Sequence, residues 1–535
     1  MKKESILYKV MTSWKLWILP GMLIMVGWIT LIQMIPIGDG GGGYDEDPAY
    51  VYLTSGLYLL KGHIPIHNDH PGTPVQVLGA VVIFLRWGIS RITGIVEGDV
   101  ATEVFRSPEL YMGTISVALL LMNVGALLYL GRRVFQVTKN YPLALLVQTS
   151  VFIFENLVPG TIYLAPESLL IFASLCLLGV LADEIFVPFQ DNTLRNKQTA
   201  VLAGVICGFG LAVKITFLPL VGLLLLLNSY HRILHAIRYM LLSSFICILP
   251  ILPHFFSFLQ FIFRITKHTG VYGSGNEGIV DLGLVPTNFF ILIREFPLLY
   301  IVVCALLVAL VLMWRRERSV KSDRLAGLIV PVILILVMLG QTLMVLKHFS
   351  IRYMVPVLPV SLVGLAWLIR IIWVNPKKWM IARWLPTAML AACFVLGVMA
   401  TYHLQKTLHS NRVLSKQEQA LFSNEINKHK DPFIIGTYRS LLPKGAIYFG
   451  LTYTRGELNE AAKPFLENFD GYNMWTKSLF LSSPEQINKI IASGRDVLMV
   501  VPDFFPQPDA FILESLVHVS NRTLFRVIRM RHSGQ

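Results

Sequence analysis

Three consecutive carboxylates, Asp45, Glu46 and Asp47, follow a glycine run directly after an apolar stretch long enough to cross a bilayer. Acids in such a place can cap a helix, hold a divalent cation through their oxygens, or accept a proton. Asp47-Pro48 reads as a helix start, an N-cap aspartate before proline at the first helical position, so capping alone accounts for Asp47. Asp45 and Glu46 precede that cap, and repelling carboxylates beside a membrane need a proton, a cation or a basic partner. The helix that follows carries Tyr50, Tyr52 and Tyr58, which read as anchors at the membrane interface. A second cluster, HNDHPGTP, sets Asp69 and His70 at a Pro-Gly turn, with His63 and His67 upstream. A zinc site there is conceivable, but the spacing matches no strong ligand pattern. Lys214 interrupts an apolar run, and a charge at membrane depth is either functional or snorkels to the interface.

The elements that must position these groups are membrane helices. Of the 535 residues 54% are hydrophobic and only 15% charged, with a mean hydropathy of +0.61. A soluble chain of this length carries far more charge, so the class is a polytopic α-helical membrane protein. The net charge of +14 is spread over short clusters between apolar runs, which is the pattern of cytoplasmic loops and not of a nucleic-acid surface. A window of about 20 residues gives about eleven spans. They fall near 14–37, 108–131, 141–158, 162–182, 199–213, 216–230, 236–253, 296–314, 325–346, 354–374 and 383–403. With the N-terminus inside, Lys2/Lys3, Arg132/Arg133, Arg195/Lys197, Arg232/Arg238, Arg315/Arg316/Arg318 and Lys377/Lys378/Arg384 all lie on the cytoplasmic side. Counting 74–92 as a further span would break that agreement, so it reads as an amphipathic or re-entrant element on the outer face. The first span has basic residues ahead of it and full length, which fits a retained helix better than a cleaved signal. Cys176, Cys207, Cys247, Cys304 and Cys393 sit inside apolar segments as small buried hydrophobes, without a disulfide or metal pattern.

Residues 1–403 thus read as a transmembrane domain whose outer loops, 38–107 and 254–295, form its working face. Residues 404–535 change character. A polar helical stretch, KQEQALFSNEINKHK, precedes strand-like runs FIIGTY, AIYFGLTY, VLMVVP and LFRVIRM. Helical patterns GELNEAAKPFLENF and SPEQINKIIAS intervene, so a small extracytoplasmic α/β domain is expected.

An acidic pair after the first helix, a Tyr-rich amphipathic helix, and Asp69-His70-Pro71 before a second apolar segment together resemble the GT-C glycosyltransferases. Within them the chain is most similar to the protein O-mannosyltransferase and aminoarabinose lipid A transferase group. GRRVF (131–135), GLAVKITFLPL (210–220) and RYMVPVLPV (352–360) continue the resemblance over residues 14 to 403. It implies an enzyme of the plasma (inner) membrane that moves a sugar from a polyprenyl-phosphate carrier to a glycan, lipid or protein acceptor at the outer face. One of Asp45, Glu46 and Asp47 would be the general base, the three-acid run leaving open which. No cofactor is implied; a divalent cation at 45–47 with Asp69 is the less favoured arrangement. Asp69 and His70 at their turn would contact the substrate, and stabilisation of the carrier phosphate would fall to cations and donors: His70, Lys214, and Arg264, Lys267 and His268 on one helical face in FIFRITKHTG. Those last three could equally meet lipid headgroups. Lys347, His348 and Arg352-Tyr353 complete the set, and Glu167 could touch substrate or pair with one of these cations. A polymerase or ligase moving a whole lipid-linked oligosaccharide would use the same surface. A flippase for such a glycan would instead bury its ionisable groups mid-span and lack a large outer domain.

Overall fold

In a computed structural model of the chain, the described residues are 14–34, 46–67, 72–155, 157–187, 193–270, 275–276, 278, 280–317, 325–373, 384–437, 443–473, 477–503, 508–519 and 522–530. Hydrocarbon offers the backbone no hydrogen-bond partner, so a long apolar run closes its N–H and C=O groups on itself as helix. In chain order the apolar helices are α1 (Trp14–Met34), α2 (Thr73–Ile92), α3 (Pro108–Thr138), α4 (Tyr141–Ile153), α5 (Pro166–Val180) and α6 (Lys197–Val213). They continue with α7 (Ile215–Leu227), α8 (Tyr230–Lys267), α9 (Pro297–Arg315), α10 (Leu328–Lys347), α11 (Ile351–Ile371) and α12 (Leu385–Ile426). Eight of them, all but α4 to α7, are long and apolar enough to cross a membrane among the described residues. Every expected span overlaps one of these helices. The segment expected to lie on the outer face, 74–92, forms the continuous 20-residue helix α2, which also meets the length and hydropathy a span needs.

The chain forms two compact units. The first holds Met1–Trp28, Asn68–Pro74 and Val117–Leu404; the second holds Ile29–His67, Val75–Ser116 and Gln405–Gln535. Residue 404, where the tail was expected to begin, lies inside α12.

In the first unit α6 and α8 pack closely because Gly204 and Gly208 lie one helical turn apart on the α6 face. A Cβ on either would stand 2.2 Å from the Ala236 or Met240 carbonyl oxygen of α8. Ser243 and Ser244 of α8 donate to the carbonyls of Val205 and Gly208, at 2.9 and 3.1 Å. Of the cysteines, Cys207 and Cys393 are buried, but Cys304 is exposed on α9, which corrects the expectation that all five are interior. All five are free.

In the second unit the expected Asp47 cap is not found. A π-helical turn runs Glu46–Tyr50 and continues as α-helix Val51–Leu60, so Asp47 lies within the first turn. Pro48 remains in that turn, where its missing N–H has no intrahelical acceptor to lose. Tyr50, Tyr52 and Tyr58 are not interfacial: all three are buried. The Tyr50 hydroxyl donates to Glu109 Oε1 at 2.7 Å, the kind of partner a buried tyrosine requires. Gly56 lets the same helix lie against α2, where a Cβ would come within 3.0 Å of the Ala80 nitrogen.

The tail carries a six-stranded sheet of β1 (Phe433–Gly436), β2 (Phe469–Asn473), β3 (Ser478–Leu479), β4 (Val497–Pro502), β5 (Phe511–Val519) and β6 (Arg522–Met530). Their order is β3-β2-β1-β4-β6-β5; β1 pairs in parallel with β2 and β4, and the other pairs are antiparallel. Every residue of β4 is buried, so VLMVVP reads as an unbroken apolar run. The helix expected in SPEQINKIIAS is Pro484–Ala492, closed by a Ser483–Gln486 capping box. One expected strand is wrong. AIYFGLTY lies largely in helix Pro443–Leu451, whose residues Ala446 to Phe449 are buried in succession; a buried helix and a buried strand are then equally apolar along the sequence. GELNEAAKPFLENF is broken into short helical turns at Asn459–Ala462 and Lys463–Phe465 and ends in β2.

Candidate active site

A cationic site assembles in the first unit where α6 breaks. Gly210 has no Cβ, and one placed there would meet the Phe217 ring at 2.5 Å, so the chain can turn back tightly on itself. Lys214 sits at the break with extended backbone (φ −164, ψ 138) while its N–H still reaches the Gly210 carbonyl at 3.0 Å. Its side chain is thereby directed inward, and it is buried.

Across from it, Glu167 stands in the first turn of α5, after Pro166 at the first helical position. Negative charge there is favoured by the N-terminal end of the helix. Asn123 fixes this turn, its amide donating to the carbonyls of Thr161 at 3.2 Å and Ser168 at 3.1 Å. The Ser168 hydroxyl closes the turn further by donating to the Gly160 and Tyr163 carbonyls. Lys214 Nζ meets Glu167 Oε1 at 2.8 Å, and the two side chains are only 6% and 13% exposed. The same ammonium lies 4.7 Å from the centroid of the Tyr353 ring, a cation–π distance.

Tyr353 belongs to the 3-10 turn Ile351–Val357 that opens α11, and its carbonyl accepts from Gln341 Nε2 of α10 at 2.6 Å. Its neighbour Arg352 is exposed and within electrostatic reach of the Glu167 carboxylate. Gly72 meets this place through its backbone, its N–H donating to the carbonyl of Val213, the residue before Lys214, at 3.2 Å.

A second basic cluster adjoins the end of α10. Lys347 donates to the Thr266 carbonyl at 2.6 Å. The His348 ring nitrogens face the carbonyls of Gly270 and Ile265 at 2.6 and 2.7 Å. Carbonyls only accept, so both contacts are hydrogen bonds only when both ring nitrogens carry hydrogen. Arg264 and Lys267 are exposed and lie over the Phe261 and Phe263 rings. His268 departs from the expected shared face: it is the C-cap of helix Phe255–Lys267, with extended backbone.

The structure therefore brings Lys214, Tyr353 and Glu167 together, with Arg352 beside them, and ties Lys347 and His348 to the segment bearing Arg264, Lys267 and His268. Asp45, Asp69 and His70 lie outside the described residues, and Glu46 and Asp47 are described by their backbone alone. Among the described residues no three His, Cys, Asp or Glu side chains gather as a metal site. Gln341 and Asn123, which set the positions of Tyr353 and Glu167, were not singled out from sequence. Each is a lone amide in a long apolar run, and that is the signal that could have found them.

Long apolar helices with short ones among them, followed by a sheet-bearing tail, make the chain a polytopic membrane protein, and its fold fits that of the GT-C group the sequence resembles. One solved structure it is similar to is ArnT from Cupriavidus metallidurans in the apo state. The likeness covers 95% of this chain and 97% of that one, with a TM-score of 0.53 and 12% identity. At that identity the likeness is one of fold. No protein-family model matches the chain, and no curated protein matches it in sequence.

Proposed function

We propose that the protein is a GT-C glycosyltransferase that takes a hexosyl or pentosyl group from a polyprenyl-phosphate donor at the extracytoplasmic face of the plasma membrane. The observation that carries this reading is the buried Lys214–Glu167–Tyr353 group with exposed Arg352 beside it and the Gly72 N–H bonded to the carbonyl of Val213. Cleavage of the donor's anomeric C–O bond leaves both electrons on a phosphate oxygen, already a good anion, so no general acid is needed. A carboxylate among Asp45, Glu46 and Asp47 accepts the acceptor hydroxyl proton as its oxygen forms the new bond, with inversion as the resemblance implies. Arg352, exposed, meets the phosphate, and Lys214, whose charge Glu167 offsets, holds Tyr353 and adds its field. No metal takes part in this scheme, and the sheet-bearing tail beyond α12 is the extracytoplasmic domain. The flippase reading fits less well, because most candidate charges lie near helix ends and not mid-span.

The test is transfer by the purified full-length protein from labelled polyprenyl-phosphate sugars, with Asp45→Asn, Glu46→Gln, Asp47→Asn, Arg352→Ala and a chelator arm. At least one acid variant should lose turnover by about 10²–10⁴-fold, the usual worth of a general base. Normal turnover in all three sinks the base assignment. Unchanged turnover in Arg352→Ala removes the phosphate contact, and loss on chelation replaces the metal-free scheme.

A further inference from the structure

We propose that the protein carries a site for an anionic glycerophospholipid between α9 and α10, distinct from the sugar-transfer site. An open groove of about 870 Å³ lies between these helices, lined by Leu310, Val311, Trp314 and Arg315 of α9 and by Leu328, Ile329, Val332 and Ile333 of α10. Its walls are aliphatic, which suits an acyl chain, and its rim is not. Trp314 is 58% exposed, the amphipathic ring that marks the headgroup level of a bilayer, and Arg315 beside it is exposed.

The charge at this end sets the headgroup. The sequence from 315 to 324, RRERSVKSDR, which joins α9 to α10, has five basic and two acidic residues. Basic residues grouped where two spans leave the cytoplasmic leaflet attract anionic headgroups, by roughly 1 kcal/mol for each charge near the surface. Lys347, in the cluster beside the transfer site, ends α10 nineteen residues beyond Leu328. At 1.5 Å per residue that is about 28 Å, close to the hydrocarbon thickness of about 30 Å. The groove and the transfer site therefore lie at opposite ends of α10, and, resting on the orientation proposed for the transferase, the lipid here is a bound neighbour in the inner leaflet, not the sugar carrier. A zwitterionic lipid would fit the aliphatic walls equally well but would gain nothing from Arg315. The occupant is therefore a diacyl lipid with a net negative phosphate headgroup.

Full-length protein reconstituted in phosphatidylcholine nanodiscs containing a minor fraction of phosphatidylglycerol, then released into detergent, would have its retained lipids counted by native mass spectrometry. Wild type should retain phosphatidylglycerol about fivefold above its share of the bilayer. Arg315→Gln should lower that enrichment about threefold while Arg315→Lys keeps it. Val332→Trp, which fills the groove, should lose the retained lipid, with an unchanged melting temperature showing that the fold survives. The proposal is overturned if wild type shows no enrichment, or if Arg315→Gln and Val332→Trp retain as much as wild type. It is equally overturned if wild type is a dimer without enriched lipid that Val332→Trp dissociates, since a second copy would then occupy the groove.

Discussion

Lys214 and Glu167 are each costly where they sit and tolerable only together. Removing one partner of a buried ion pair leaves an uncompensated charge, at about 3–5 kcal/mol, whereas removing both is far milder. Glu167→Gln and Lys214→Met should each lower the unfolding midpoint in detergent strongly, and the double variant should recover most of that loss; additive losses would show that the pair is not coupled. Both charges were legible, because each interrupts an apolar run. That Glu167 could pair with a cation was legible as well, but which cation was not, because 47 residues separate it from Lys214 and only the folded bundle closes that distance. Buried Tyr50 was misread for a related reason, its partner Glu109 lying 59 residues away. In the tail, the His429 imidazole bonded to Asp496 at 2.7 Å, together with Arg526, holds the Asp496 carboxyl below the usual carboxylate range. A depressed carboxyl stabilises the fold above its unfolded pKa of about 3.9 and ceases to do so as pH falls through the folded value. Amide exchange in β4 and β6 should therefore be faster in Asp496→Asn than in wild type at neutral pH. The difference should shrink as pH falls through the depressed folded-state pKa and vanish below it, and a difference that persists there would exclude the carboxylate as its cause.

At the scale of elements, the membrane helices were readable because length and apolarity alone dictate them. The strand–helix error at 446–451 came from burial on all sides, which erases periodicity. Strand β5 was missed for the opposite reason: it is an edge strand pairing only with β6, and several of its side chains are exposed, so FILESLVHV has little alternation to read. Packing between helices was legible only afterwards, through the spacing of Gly204 and Gly208. Either glycine replaced by leucine must push α8 away or bend α6, an overpacking cost of about 1–3 kcal/mol or more. Gly125 of α3, where a Cβ would meet nothing within 4 Å, is the matched control. Gly204→Leu and Gly208→Leu should lower the melting temperature by several degrees while Gly125→Leu does not. Equal melting of all three would mean that close approach of α6 and α8 contributes little.

The whole molecule divides in a way that hydropathy cannot announce. Residues 29–67 and 75–116, which lie between apolar spans or form them, cluster with residues 405–535, the second half of α12 and the tail beyond it. The tail's sheet has its own interior, with Ile435, Val497, Met499 and Val501 buried among Phe511, Phe525 and Val527. Helix Pro443–Leu451 has a different support. Gly450 packs where a Cβ would come within 2.8 Å of Thr54, and the Thr54 hydroxyl donates to the Gly450 carbonyl at 2.9 Å. Tyr453 presents its ring edge-on to His67 at 5.2 Å, and His67 in turn meets Tyr52. The acid-bearing turn Glu46–Tyr50 thus continues into a helix whose buried face is completed by the tail, four hundred residues later in the chain. A fragment of residues 405–535 should keep its sheet but lose much of the order in 443–451. Amide exchange there should quicken at least about tenfold, near 1.4 kcal/mol, relative to the intact protein, while β1 and β4 change little. Unchanged protection of 443–451 in the fragment would show that the tail is a self-sufficient domain merely tethered to the membrane. The expected loss would instead make residues 46–67 part of the tail's fold, so that the position of the acidic turn depends on chain 396 residues further on.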